Sequence, residues 1–101
     1  MKLSFRSSFN RDLKKIKDKE ILQKVKECIH IAEEANSLQE LSDIKKISGS
    51  SGYYRVRLRE YRIGIFVSGN EIEFVRCLHR REVYKFFSFF LCLTNILSLN
   101  W

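Results

Sequence analysis

Seven side chains in the second half of this sequence could act together on one anion. Arg55 and Arg57 alternate in the run Tyr54-Arg55-Val56-Arg57-Leu58, Arg62 follows in Tyr61-Arg62-Ile63-Gly64, and His79, Arg80, Arg81 and Tyr84 close the set. Arginine presents a planar fork of donors that matches a phosphate, and such a clamp offsets charge developing on a phosphodiester in a transition state. A histidine or a tyrosine can move a proton. Tyrosine can also stack on an unpaired base. Neither a carboxylate cluster nor metal-ligand spacing accompanies these residues, so an enzyme built on them is expected to need no metal and no cofactor. The attacking group on hand is then the 2′-hydroxyl of RNA itself. Its attack on the adjacent phosphate would leave a 2′,3′-cyclic phosphate, which favours RNA over DNA as the target.

The charge balance agrees with a polyanionic partner. Nineteen Lys and Arg against twelve Asp and Glu leave +7 on 101 residues, which suits nucleic acid, an anionic surface or an acidic protein. The two halves differ in kind. Residues 1–50 hold nine Lys and two Arg, whereas residues 51–101 hold seven Arg and one Lys. Lysine is a hydrated point charge suited to a helix surface, and arginine is suited to oxyanion contact. Cys28, Cys77 and Cys92 form no CxxC pair and read as free buried thiols in a reducing cytoplasm. His30, among Cys28, Ile29 and Ile31, reads as structural. No signal peptide is legible at Met1-Lys2-Leu3-Ser4-Phe5. Residues 86–101 carry no side-chain charge but are broken by Ser, Thr and Asn; a membrane span needs about 20 largely apolar residues, so no membrane partner is expected.

The elements that must position this set follow from periodicity. Lys2–Arg6 has the pattern of a short strand. Ser7 and Ser8 offer an N-cap, and Phe9, Leu13 and Ile16 follow at helical spacing. Asp18 can cap a second helix, in which Ile21, Leu22, Val25, Cys28, Ile29, Ala32 and Ala35 make one apolar stripe. Residues 36–46 read as a connection with a helical turn at Leu38–Leu41. The run Ser48-Gly49-Ser50-Ser51-Gly52 breaks the chain. From Tyr53 the period becomes two, giving strands at 54–58, 61–67 and 71–78 and then a helix over 80–90. The expected class is α+β: an antiparallel sheet with an N-terminal αα-hairpin on one face, in the order β-α-α-β-β-β-α. One domain is expected over 1–87, with 88–101 as its apolar extension.

A two-residue turn at Arg59-Glu60 sets the register of the first hairpin. Leu58 then faces Tyr61, Val56 faces Ile63 and Tyr54 faces Ile65 on the core side, while Arg57 faces Arg62 and Arg55 faces Gly64 on the other. Like charges directly across a ladder destabilise it by some tenths of a kcal/mol, which an anion between them would offset. Gly64 leaves room beside Arg55 for a ligand backbone. A turn at Gly69-Asn70 places Val67 opposite Ile72 and Ile65 opposite Phe74. The same register places Cys77 across from Arg62, sends His79 to the arginine face and leaves Arg76 on the core side.

At these residues the sequence resembles the RelE/ParE toxins. The resemblance is carried by residues 54–58, by Glu60-Tyr61-Arg62-Ile63-Gly64, by His79-Arg80-Arg81-Glu82-Val83-Tyr84-Lys85 and by Phe9…Asp12-Leu13-Lys14-Lys15-Ile16. It covers about residues 1–87. It implies a cytoplasmic toxin of a type II toxin–antitoxin pair, bound by a cognate acidic antitoxin. RelE-like members are endoribonucleases that cleave mRNA on the ribosome, whereas ParE-like members inhibit DNA gyrase. The resemblance places activity at Arg55 and Arg57, Arg62, His79 or Arg80, and Tyr84. Taken with the residue chemistry, Arg57, Arg62, His79 and Tyr84 are the expected catalytic residues and Arg55, Arg80 and Arg81 the expected RNA-binding ones. The His-Arg-x-x-Val-Tyr run favours the ribonuclease branch. A gyrase-directed toxin and an inactive, antitoxin-binding module stand as alternatives. After Phe87 this chain departs from the family pattern: it has no proline there, and its apolar run continues to Trp101.

Overall fold

A computed structural model describes residues 1–47, 49 and 51–83. Strand β1 (Lys2–Phe5) leads into helices α1 (Ser7–Lys15) and α2 (Lys19–Glu34). A 3-10 turn at Leu38–Glu40 precedes β2 (Ile44–Lys46), β3 (Tyr53–Leu58), β4 (Tyr61–Ser68) and β5 (Glu71–His79), and a further helix opens at Arg80. The five strands form one sheet in the order β1-β5-β4-β3-β2.

The α+β class and the helical hairpin are as expected, with two differences in the sheet. First, β1 runs parallel to β5, Leu3 beside Ile72 and Phe5 beside Phe74. A parallel neighbour requires a long crossover, which α1, α2 and the following strands supply. Second, residues 44–46, expected within a connection, form β2 along the outer side of β3, with Lys45 beside Arg55.

Helix α2 begins where Asp18 accepts from the Glu20 and Ile21 amides, at 2.9 and 3.4 Å. It buries Ile21, Val25, Cys28 and Ala32 at helical spacing. Helix α1 starts without a side-chain cap. Arg6 stands at its N-cap, and Ser7 and Ser8 lie inside the helix, Ser8 Oγ donating to the Val75 carbonyl at 2.7 Å. The serines therefore do not cap it. Phe9 of α1, Phe5 of β1 and Phe74 of β5 pack ring to ring, with centroids 5.3 to 5.9 Å apart. Phe9 and Phe74 join Val56, Ile63, Ile65, Ile72 and Cys77 in the core between the helices and the sheet, while Phe5 stays exposed at its edge.

Helix α1 is also fixed to β5 by charge. Asp12, 5% exposed, accepts from Arg76 Nε at 2.8 Å, Arg76 Nη2 at 3.0 Å and the Cys77 amide at 2.9 Å. Three hydrogen bonds saturate most of a carboxylate's acceptor capacity. Arg76, expected on the core side, instead lies opposite Gly64 of the arginine face, and its guanidinium still reaches Asp12 of α1. The contact falls at a bulge. Gly64 and Ile65 are consecutive in β4, yet they pair with Arg76 and Phe74, so Val75 is an extra residue in β5.

Candidate active site

The first hairpin has the expected register. Arg57 pairs with Arg62, Arg55 with Gly64, and Leu58 with Tyr61 across Arg59-Glu60. Cα atoms of directly opposed residues are about 5 Å apart, and alternate residues on a strand about 7 Å apart. The Cα atoms of Arg55, Arg57 and Arg62 therefore lie together on one patch of the sheet. Their charges act on one another: burial, then Arg57 and Arg62, hold the Arg55 pKa below the ordinary arginine value, with Asp43 offsetting part of this.

The three arginines differ in exposure. Arg57 is exposed, whereas Arg55 and Arg62 are 8% and 7% exposed. The buried pair is held by backbone carbonyls. Arg55 Nη1 donates to the Asp43 carbonyl at 2.8 Å. Arg62 Nη1 donates to the carbonyls of Arg59 at 2.6 Å and Tyr61 at 2.9 Å. Both Asp43 and Arg59 adopt left-handed backbone, at φ 55° and 58°. Non-glycine residues reach this region at a cost of about 1 kcal/mol. At Asp43 the conformation turns one carbonyl toward both the Arg57 amide, at 3.1 Å, and the Arg55 guanidinium. Sequence reasoning missed Asp43, because nothing local marks it for a left-handed turn. It also missed Lys45, whose strand had not been recognised. Asp12 carried a legible signal, since it occupies an apolar-stripe position between Phe9 and Ile16.

The bulge corrects the end of the set. Leu78, not Cys77, lies opposite Arg62, and Cys77 lies opposite Ile63 in the core. His79 is opposite Tyr61, on the core side of the sheet's rim rather than on the arginine face. One inserted residue reverses every side chain beyond it. The His79 ring meets the Tyr61 ring edge-on, centroids 5.3 Å apart. Its Nδ1 accepts from the Arg81 amide at 3.1 Å, and Glu82 accepts from the His79 amide at 3.3 Å. This is the reciprocal arrangement of a capping box, with histidine as the cap. The ring proton of the neutral form is then on Nε2, which stands 3.9 Å from Glu60 Oε2.

Arg80 and Arg81 are exposed. The Arg80 amide donates to the Glu60 carbonyl at 2.7 Å, and its Nε lies 3.3 Å from the Glu60 carboxylate. Glu60 thus joins the β3–β4 turn to the helix that opens at Arg80, while Arg59 reaches Glu20 of α2 at 3.0 Å. Tyr84, Cys92 and the extension 88–101 lie outside the described residues.

Two further features border the arginines. A cleft of about 360 Å³ lies between α2 and β3, with Lys24, Ile31, Asp43, Arg57 and Arg59 in its wall. On the arginine face itself, Tyr53 pairs with Phe66, ring centroids 4.8 Å apart. His30, with Glu33 and Glu34, is exposed on α2. These three belong to the helical layer, on the other side of the sheet from the arginine rung. Among the described residues no helix is long and apolar enough to cross a membrane.

Comparison with known proteins now bears on this geometry. The family described as "ParE toxin of type II toxin-antitoxin system, parDE" matches residues 3–84. The chain belongs to this toxin family. Within the wider RelE/ParE superfamily it is 44% identical to Toxin RelE3 of Methanocaldococcus jannaschii over 88 residues, 86% of this chain and 99% of that protein. A chain of the RelB-RelE antitoxin-toxin complex from Methanococcus jannaschii superposes with a TM-score of 0.76 at 42% identity, covering 83% of this chain and 98% of its own. The YoeB dimer from Staphylococcus aureus shares the fold, with a TM-score of 0.65 at 24% identity over 78% and 95% of the two chains. In this fold the arginine rung lies on the sheet face opposite the core and the helical hairpin.

Proposed function

We propose that this chain is an endoribonuclease that cleaves ribosome-bound mRNA by attack of the RNA 2′-hydroxyl on the adjacent phosphate. The observation that carries the reading is the Arg57–Arg62 rung with Arg55 beside it. Arg57, exposed, receives the scissile phosphate. Arg62 and Arg55 are held by carbonyls before any substrate arrives, so their charge needs little reorganisation as the pentavalent phosphorane forms. Arg80 and Arg81 bind flanking phosphates. Proton transfer falls to Tyr84, because His79 lies on the core side of the sheet's rim with its Nδ1 engaged in the helix cap. These steps require no metal and no cofactor.

The partner proposed to restrain this activity is an acidic antitoxin, in keeping with the RelB-RelE complex of the similar protein. The cleft beside α2 offers it Lys24, Arg57 and Arg59, alongside Glu27 and Asp43, near the exposed Ile31. An acidic amphipathic segment seated there would cover Arg57.

The test adds purified protein to a reconstituted translation reaction and maps mRNA breaks. Ribosome-dependent breaks ending in 2′,3′-cyclic phosphate are expected. Intact mRNA from folded protein would refute the reading, and DNA damage in its place would move the assignment to gyrase inhibition.

A further inference from the structure

We infer that Tyr53 and Phe66 form a base-stacking subsite for a nucleotide neighbouring the cleaved phosphate. The inference rests on the ribonuclease reading above. Strand alternation places Tyr53 with Arg55 and Arg57, and Phe66 with Gly64 and Arg62, on one face. The aromatic rung thus lies four residues along the ladder from the Arg57–Arg62 rung, about 13 Å. An extended RNA strand covers that distance within a few nucleotides. Between the rungs Gly64 contributes no side chain on β4.

Two observations separate this pair from ordinary sheet packing. The first is how the Phe66 ring is seated. Gly52, at φ +93°, lies so close that a Cβ there would come within 2.8 Å of Phe66 Cε1 and 3.0 Å of the Val67 carbonyl oxygen. The ring therefore has a fixed pose against bare backbone, with Tyr53 tilted 55° beside it. The second is the charge around it. Glu73 pairs with Phe66 in β5 and forms an ion pair with Arg6 at 2.9 Å, and the Arg6 guanidinium also interacts with Tyr53. The Arg6–Glu73 pair leaves this end of the face without net charge, and its carboxylate can accept hydrogen bonds from base amino and imino groups. This end therefore suits a base, whereas the unneutralised arginines at the other end suit a phosphate. Both rings are half-buried, so each keeps surface on which a base can lie. Stacking on aromatic side chains tolerates any base, so the subsite would add affinity and positioning more than sequence choice.

The test uses programmed ribosomes whose mRNA carries 2′-O-methyl at the mapped break, which blocks cleavage, and 5-iodouridine at each neighbouring position in turn. Irradiation should crosslink one of those positions to Tyr53 or Phe66, identified by peptide mass spectrometry. Crosslinks confined to other residues would overturn the subsite while leaving the ribonuclease reading intact. Absence of any mRNA crosslink, together with absence of cleavage of unmodified mRNA, would overturn both. In steady state the Tyr53→Leu/Phe66→Leu variant, checked for folding by thermal melting, should raise KM about tenfold, the scale of one lost stacking contact. Tyr53→Phe, which keeps the ring, should raise KM less than the double-leucine variant. An unchanged KM in a folded double-leucine variant would also overturn the inference.

Discussion

Replacing Asp12 with alanine should cost about 3 kcal/mol of stability. The carboxylate is 5% exposed and accepts three hydrogen bonds, two from Arg76 and one from the Cys77 amide. The Cys77 amide is buried, and leaving such a donor without an acceptor costs about 1–3 kcal/mol. Breaking a fully buried ion pair costs about 3–5 kcal/mol. The Arg76 side chain is 20% exposed, so its guanidinium can turn toward water, which reduces that contribution to about 1 kcal/mol. Equilibrium urea unfolding reads the sum. With a slope of about 1.5 kcal/mol/M, the midpoint should fall by about 2 M. Asp12→Asn keeps an acceptor for the amide and should lose less than half as much. Amide exchange at Cys77 should accelerate in the alanine variant, because this carboxylate holds the bulged segment of β5 against α1. An alanine variant within about 0.5 kcal/mol of the parent would refute the reasoning that this ion pair anchors the bulge.

Further predictions concern the turn, the cap and the thiols. Arg59→Gly relieves left-handed backbone at φ 58° and forfeits only an exposed ion pair, so stability should rise by up to about 1 kcal/mol; a lower urea midpoint would contradict this. His79→Ala should cost about 1 kcal/mol through loss of the helix cap, and His79→Asn should restore it. The Asn variant should also keep its activity, because His79 lies on the core side of the sheet; impaired cleavage in that stable variant would contradict this. Burial pushes Cys28 up to about 11 and Cys77 up to about 12. Their folded-state values lie above the ordinary 9.0, so the unfolded chain releases these protons first. The stability they contribute is complete below about pH 9 and is lost as pH rises toward those values. Cys77→Val should flatten the alkaline decline measured by urea unfolding, and an identical decline in both proteins would contradict it.

Most of the arginine rung was legible in the sequence, because strict alternation from Tyr54 to Leu58 and a two-residue turn leave one register for β3 and β4 that buries the apolar side. The α2 stripe and its Asp18 cap were legible for the same kind of reason: both are local. The misplacements came from features without local signals. One inserted residue, Val75, sends His79 and Cys77 to the other side, and its position depends on Asp12 from a distant helix. The parallel pairing of β1 with β5 depends on packing among Phe5, Phe9 and Phe74. The three residues of β2 are too few to show a period. Exposure within the rung was also hidden, because it follows from carbonyls that Asp43 and Arg59 turn inward. That finding changes the choice of probe. Arg62→Ala would remove two hydrogen bonds to the hairpin turn and confound chemistry with folding, whereas Arg57 is exposed and can be truncated with little structural cost.

The central claim, that the arginine rung acts on RNA, is tested most directly by single-turnover cleavage of mRNA on programmed ribosomes, comparing the parent with Arg57→Ala at matched thermal stability. Loss of one preorganised charge from the reacting phosphate should slow cleavage about 100-fold or more, with the break at the same position. Equal rates in the two proteins would contradict the account, because Arg57 would then lie outside the reacting centre.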